Sequence, residues 1–315
     1  MLATEKGERV KEVRGEKCEG RASGLWTARP HPINPQGWQS SAVQRLFDGS
    51  LTALDTRHST LDQTGSPFPL DPTVEKLHPA AVTSAIIVAA GKGARMGPNT
   101  DKLFLLLAGK PVVVHAWQRF DASPCIDEIV LVIRDGMQPA FQKLAAAFRP
   151  TKPFQLVLGG TERQDSVWNG LESVSAKAEL VAIQDAARPC TSEALIEATI
   201  NAARETGAAV AAQPVTDTIK ESEDGKWIQR TLDRSRLWSV QTPQAFHVDV
   251  IRRALLEVRR RRLFVTDDTA ACELIGQQVS LVPSAAPNPK VTRPEDLPCI
   301  EMVLKSQPAS QMYGF

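Results

Sequence analysis

The residues best suited to chemistry lie in "SAIIVAAGKGARMG" at 84–97 and in the "TDKL" that follows at 100–103. A partly β-branched apolar run enters a loop holding Gly91, Gly93 and Gly97, and the cations Arg95 and Lys102 belong to the same crossover. Glycines let a backbone turn tightly and offer bare N–H groups to an anion, so the stretch reads as a phosphate site. It is not a P-loop, because GxxxxGK[ST] is missing, and its GxGxxxG spacing is one residue too long for the dinucleotide fingerprint. Taken alone, the same residues also suit a surface turn with solvated cations.

Three further segments carry matching chemistry. "GGTERQDSV" (159–167) is a Gly-Gly turn opening a helix near Arg163, with Ser166 in the first turn. Backbone exposed by Gly159 and Gly160 is able to read a base edge. In "QDAARP" (184–189), Asp185 directly follows an apolar strand, so its carboxylate lies at the strand's carboxyl end, ahead of Arg188 and Pro189. Mg²⁺ takes hard oxygen ligands, typically one or two carboxylates plus substrate phosphates; taken alone, an Asp in this place is more often a helix cap. In "NPKVTRPEDL" (288–297), Lys290 precedes a helix start where Thr292 caps and Pro294 takes the first turn.

These groups need a scaffold that brings distant loops together. From about residue 83 short apolar runs recur at 84–90, 128–133, 154–159, 179–184, 207–212 and 278–283, and helical patterns lie between most of them at roughly 111–121, 137–149, 164–175, 192–206, 248–262 and 267–276. Such alternation predicts an α/β fold: a Rossmann-like, mostly parallel twisted sheet with helices on both faces. The first three runs are nearly continuously apolar, as expected of strands buried on both faces. In an open sheet of this kind ligands sit beyond the carboxyl ends of the strands, where the glycine loop and Asp185 fall. Residues 213–246 break the rhythm. "SEDGKW" is a turn between two amphipathic runs, which predicts a protruding β-hairpin arm over about 213–240.

Residues 1–80 differ in kind, with charge clusters, "ARPHPINPQG" and "GSPFPLDP", and few apolar runs. They bury too little to offset ordering entropy and are expected to be disordered or loosely structured, apart from a short helix around 40–54. The domain then spans 81–308, with a disordered tail at 309–315. Glu5, Glu8, Glu12, Glu16 and Glu19 count against a plastid transit peptide, a class poor in acidic residues. The 315-residue chain has a net charge of +1, which argues against a nucleic-acid coat. Its five cysteines form no CxxC pair, which suits a reduced, cytoplasmic setting. No run approaches the roughly 18 apolar residues of a membrane helix. "RRRRLF" (259–264) ends an amphipathic helix without interleaved aromatics and reads as a solvated, dipole-favoured helix terminus rather than a nucleic-acid patch. The five histidines show no metal-ligand spacing, and His115 reads as a core or boundary residue.

The segments "AAGKGARMG…DK", "GGTERQDSV", "QDAARP", "PVTDTIK", "LDRSRLWSVQTPQAF", "TDD" and "KVTRPEDL" occur in that order, and together they resemble the 2-C-methyl-D-erythritol 4-phosphate cytidylyltransferase family of the non-mevalonate isoprenoid pathway over about 83–306. The resemblance implies transfer of CMP from CTP to the phosphate of methylerythritol phosphate, with release of pyrophosphate and with Mg²⁺ as cofactor. It implies that Arg95, Lys102 and Lys290 are the catalytic cations and Asp185 the metal carboxylate. By the same resemblance Ala89, Ala90, Gly91 and Gly93 wrap the nucleotide, while Gly160 and Ser166 select cytosine. Thr218, Arg234 and Arg188 match acceptor-binding positions, with Thr242 in "QTPQ" nearby. The arm is implied to exchange between the subunits of a homodimer, so that each site borrows from its partner.

The chain departs from the family pattern twice. In "APNPK", Pro287 stands where the family usually has an acid and Pro289 where it has an apolar residue; in "TDKL", Lys102 lacks the usual Pro before it and Gln after it. The first departure keeps other acceptors open, such as ribitol 5-phosphate. A non-catalytic nucleotide-binding homologue is the remaining alternative.

Overall fold

The computed structural model describes residues 82–91, 93 and 101–307. Expectations for residues 1–80, for Arg95 and for 309–315 lie outside them. The central sheet has seven strands in the order β11-β7-β10-β6-β1-β4-β5. In chain order these are β1 (Val82–Ala89), β4 (Glu128–Ile133), β5 (Phe154–Leu158), β6 (Ala178–Asp185), β7 (Ala208–Pro214), β10 (Trp238–His247) and β11 (Ser280–Pro283). Two-residue strands β2 (Leu106–Leu107) and β3 (Lys110–Pro111) form a separate ladder, as do β8 (Lys220–Glu221) and β9 (Arg230–Thr231).

The period-2 geometry of a strand divides the core into two layers. Ala85, Ile87 and Ala89 of β1 join Ile129, Leu131 and Ile133 of β4 in one cluster, while Ile86, Val130 and Val132 point to the other. The first cluster is closed by α1 (Val112–Ala122), α2 (Gln138–Phe148), α4 (Glu193–Thr206) and α7 (Asp296–Ser306). The second is closed by α3 (Arg163–Leu171), α5 (Val248–Arg261) and α6 (Asp268–Glu273). Helices therefore cover both faces, and the carboxyl ends of β1 and β6 lie side by side, with Val88 in register with Asp185.

Most expected elements appear within a few residues of their predicted bounds, and the differences have physical causes. β5 was expected to be buried on both faces, but it is the sheet edge, leaving Phe154 and Leu158 exposed. Continuous apolarity does not distinguish an edge strand from a central one when aromatic neighbours cover part of it, as Trp117 does for Phe154. The arm is shorter than 213–240, and residues 238–247 do not belong to it. They form β10, the sheet's antiparallel strand, inserted between β6 and β7. Its "QTPQ" carries a cis Thr242–Pro243 peptide, and its ladder to β7 is interrupted between Val240 and Gln244. A proline in a run argues against a central strand, and the sequence reading set these residues apart from the sheet together with the arm. Helix α7 begins at Asp296 rather than near Pro294, and Thr292 does not cap it; the Asp296 carboxylate instead accepts the N–H groups of Thr292 and Arg293, both at 2.8 Å. The patterns at 164–175 and 267–276 shorten to α3 and α6.

The arginine run is largely occupied at the surface. Arg260 and Arg261 pair with Glu257 of the preceding turn, and the Arg259 guanidinium lies 4.7 Å from the centre of the Trp168 ring. Among the described residues no helix is long and apolar enough to cross a membrane, and Cys125, Cys190, Cys272 and Cys299 are free thiols.

Candidate active site

A cleft opens at the carboxyl ends of β1 and β6, with a volume of about 620 Å³ including its open mouth. Its lining includes Ala90, Gly91, Lys102, Gly160, Ser166, Asp185 and Lys290. Sequence positions spread over 200 residues are thus brought to one place. Ala89, by contrast, is buried in the core beneath the loop. Gly93 has φ +64°, and the Lys102 stem runs so close that an added Cβ would lie 3.3 Å from its Cγ and Cδ.

The cations are positioned by backbone contacts between the loops. After β6 the chain turns through Ala187, whose carbonyl accepts the Val291 N–H at 2.8 Å; the Val291 carbonyl then accepts Lys102 Nζ at 2.9 Å. One short segment therefore seats both Lys102 and its own neighbour Lys290. The departure at "TDKL" is explained locally: Asp101 accepts the Leu103 N–H at 3.1 Å and pairs with Arg134 beyond the end of β4, which anchors the Lys102 loop without the family's flanking residues.

Asp185 is the electrostatic centre of the cleft. Its Oδ2 meets Lys290 Nζ at 2.5 Å and its Oδ1 faces Arg163 Nε at 3.4 Å, while its backbone N–H donates to Thr242 Oγ1 at 3.1 Å. Burial alone would raise its pKa, but the charges of Arg163 and Lys290 prevail and hold it down to about 2. Arg163 also donates through Nη2 to Asp268 Oδ2 at 2.8 Å. Burial would lower the guanidinium's pKa; Asp268 and Asp185 overcome that and raise it. For Asp268 burial is the dominant influence and raises the carboxyl, against the pull of Arg163.

The opposite wall is the Gly159–Gly160 turn. A Cβ on Gly159 would sit 2.4 Å from Ala90 Cβ, and one on Gly160 would sit 2.3 Å from Asp165 Cβ, so side chains are excluded at both positions. Ser166 Oγ accepts the Gly160 N–H at 3.1 Å and donates to the Glu162 carbonyl at 3.2 Å, fixing the turn. Glu162 and Asp165 close a reciprocal capping box at the start of α3.

Arg188, Thr218 and Arg234 do not line this cleft. Arg188 donates through Nη1 to the Asn288 carbonyl at 2.6 Å. Thr218 and Arg234 are exposed on the arm, where Arg234 Nη1 donates to the Thr216 carbonyl at 2.5 Å. Arg163, Asp268 and Asn288 are the residues that sequence reasoning did not single out; "TDD" and "APNPK" contain two of them, but only the fold shows what they touch.

The model of the family described as 2-C-methyl-D-erythritol 4-phosphate cytidylyltransferase (IspD) matches residues 83–306. The chain belongs to that family. A family member named 2-C-methyl-D-erythritol 4-phosphate cytidylyltransferase from Alkaliphilus oremlandii is 42% identical over 226 residues, covering 71% of this chain and 96% of the relative. One of the same name from Bacillus velezensis is 40% identical over 70% of this chain and 95% of its own length. Among solved structures, that of a 4-diphosphocytidyl-2C-methyl-D-erythritol synthase from Anaerococcus prevotii is similar, with a TM-score of 0.64 and 31% identity over 71% of this chain and 96% of that one.

Family membership gives the "APNPK" departure its context. Asn288 is buried, donates Nδ2 to the Thr242 carbonyl at 2.8 Å, and accepts from Thr191 Oγ1 at 3.0 Å. The loop before Lys290 is therefore tied to β10 and to the segment after β6, and the prolines on either side restrict φ without breaking those ties.

Proposed function

We propose that this chain transfers CMP from CTP to 2-C-methyl-D-erythritol 4-phosphate. An oxygen of the acceptor phosphate attacks the α-phosphorus, the bond from that phosphorus to the bridging oxygen of the β-phosphate breaks, and pyrophosphate leaves. A phosphate monoester has a second pKa of about 6, so the nucleophile is largely dianionic at neutral pH and needs no general base. The obstacle is repulsion between two anions, and it is met by positioning and by charge. Lys102 and Lys290 meet the phosphates from the cleft, with Arg95 assigned to the same task from the glycine loop. The nucleotide lies over Ala89, Ala90, Gly91 and Gly93, and the wall built from Gly160 and Ser166 receives cytosine, a site where a larger side chain has no room.

Asp185 fits a Mg²⁺ site: it is an ionised carboxylate lining the cleft, next to the space the phosphates would fill. Mg²⁺ is commonly held by one or two carboxylates together with substrate phosphates, a role this single carboxylate would fill. When bound, the ion adds positive charge to the phosphates as negative charge shifts to the leaving group. Thr218, Arg234 and Arg188 are assigned to the acceptor, the first two from the partner subunit of a homodimer joined through the arm. The odd number of cysteines, with no CxxC pair, suits a cytoplasmic enzyme.

The observation that carries this reading is the convergence of Lys102, Lys290, Asp185, Gly160 and Ser166 on a single cleft. Purified protein offered CTP, Mg²⁺ and methylerythritol phosphate should release pyrophosphate and yield a product heavier by one cytidylyl group. Release with ribitol 5-phosphate alone would favour the other-acceptor reading, which Pro287 motivates; CTP binding with no turnover on either acceptor would favour the non-catalytic one.

A further inference from the structure

We propose that Asp268 is a positioning residue for the transfer: acting through Arg163, it holds the Asp185 carboxylate in place while Lys290 leaves that carboxylate for a substrate phosphate. The inference rests on the activity proposed above. It starts from the Arg163 guanidinium, which bridges the end of β6 and the start of α6 by facing Asp185 through Nε and Asp268 through Nη2. Lys290 is the other cation on Asp185, at 2.5 Å in this state. A lysine that must neutralise a triphosphate has to exchange that partner. Asp185 then depends on Arg163 for its orientation, and Arg163 depends on Asp268 to keep from following the phosphates into the cleft.

Asp268 has no competing local explanation. Capping of α6 is done by its neighbour: Asp267 accepts the Ala270 N–H at 3.0 Å and the Thr269 hydroxyl at 2.8 Å. The backbone of Asp268 is fixed separately, its N–H donating to Gln244 Oε1 at 3.1 Å, and Gln244 is itself held by Asp267 Oδ2 at 3.0 Å. What remains is a carboxylate whose side chain is 1% exposed, with Oδ2 on Arg163 and Oδ1 without a hydrogen-bond partner among the described residues. Burying a carboxylate in this half-satisfied way is costly. Such a cost is characteristic of groups kept for the geometry of a site rather than for stability.

The test is a double-mutant cycle on pyrophosphate release, with thermal melting as the control. Asp268→Asn keeps the shape and removes the charge. It should lower kcat about 10- to 100-fold, leave KM for CTP within about threefold, and move Tm by only a few degrees. Asp268→Glu should restore most of the rate. In the Arg163→Gln background, Asp268→Asn should cost less than about a further twofold, because both changes remove one chain of contacts. Losses that multiply would show that Asp268 acts independently of Arg163 and overturn the proposal, as would a wild-type kcat in the Asn variant. An Asn variant whose lost rate tracks lost folded protein marks a structural role and also overturns it. Wild-type turnover is measured first and separates the two failures: no turnover rejects the transfer and this role with it, whereas normal wild-type turnover with an unaffected Asn variant rejects the positioning role alone.

Discussion

The cleft and the arm solve opposite problems with the same residue types. In the cleft, Asp185, Arg163, Asp268 and Lys290 are tied into one network and backed by the ends of β1 and β6. Between Pro214 and Trp238 the arm has the two-residue ladder of β8 and β9, and most of its residues are exposed. Its turn is locally well made: Asp224 Oδ1 accepts the N–H groups of Lys226 at 2.8 Å and Trp227 at 3.1 Å, and Gly225 supplies the φ of +71° that the turn requires. Yet Trp227 is 77% and Ile228 65% exposed. A two-stranded hairpin is marginal by itself, and adjacent large apolar residues in water call for a cover. The cleft takes its order from one chain, whereas the arm leaves Trp227 and Ile228 uncovered, the surface on which the proposed partner subunit would act.

That contrast can be broken at either end. The largest expected effect is in the cleft: Lys102→Ala should lower kcat by about 100- to 1,000-fold, the scale of losing one preorganised charge in a transition state. The variant gives up the Val291 contact of a half-buried side chain and no part of the apolar core, so Tm should fall by only a few degrees; near-normal turnover would contradict the assignment. Next comes Gly160→Ala. Its Cβ would meet Asp165 at 2.3 Å, so the turn must shift, and KM for CTP should rise about tenfold or more in steady-state assays. On the arm, Trp227→Ser with Ile228→Ser should weaken self-association about 10- to 100-fold by analytical ultracentrifugation, leave Tm of the isolated chain unchanged, and leave CTP binding intact. The smallest effect concerns the thiols. Burial pushes Cys190 and Cys272 up to about 12, so at pH 8 both are held as thiols and should resist iodoacetamide, while exposed Cys299 is alkylated; peptide mass spectrometry would resolve the three.

The parallel half of the sheet was legible in the sequence because buried strands and amphipathic helices alternate there with clear periods. Asp185 and Gly160 were also legible, sitting where a strand's carboxyl end meets a loop, while Lys102 and Lys290 stood out through the segments that carry the family resemblance. β10 was not: its proline and its position after the arm disguise a strand that owes its place to pairing with β6 and β7 on both sides. The Arg163–Asp268 link escaped for a related reason. The two residues are separated by 105 positions and become partners only when α3 and α6 lie over the same face. Local pattern reveals groups that act at the end of their own element; it does not reveal groups whose role is to hold another residue.

The division of labour between cleft and arm is tested most directly by mixing two inactive variants, Lys102→Ala with its cleft disabled and Arg234→Ala with its arm disabled. If each arm serves the partner's cleft, subunit exchange gives heterodimers with one intact site, and an equal mixture should recover about one quarter of wild-type pyrophosphate release. Activity no greater than the average of the two parents after full exchange would contradict the account and place each arm on its own chain's cleft.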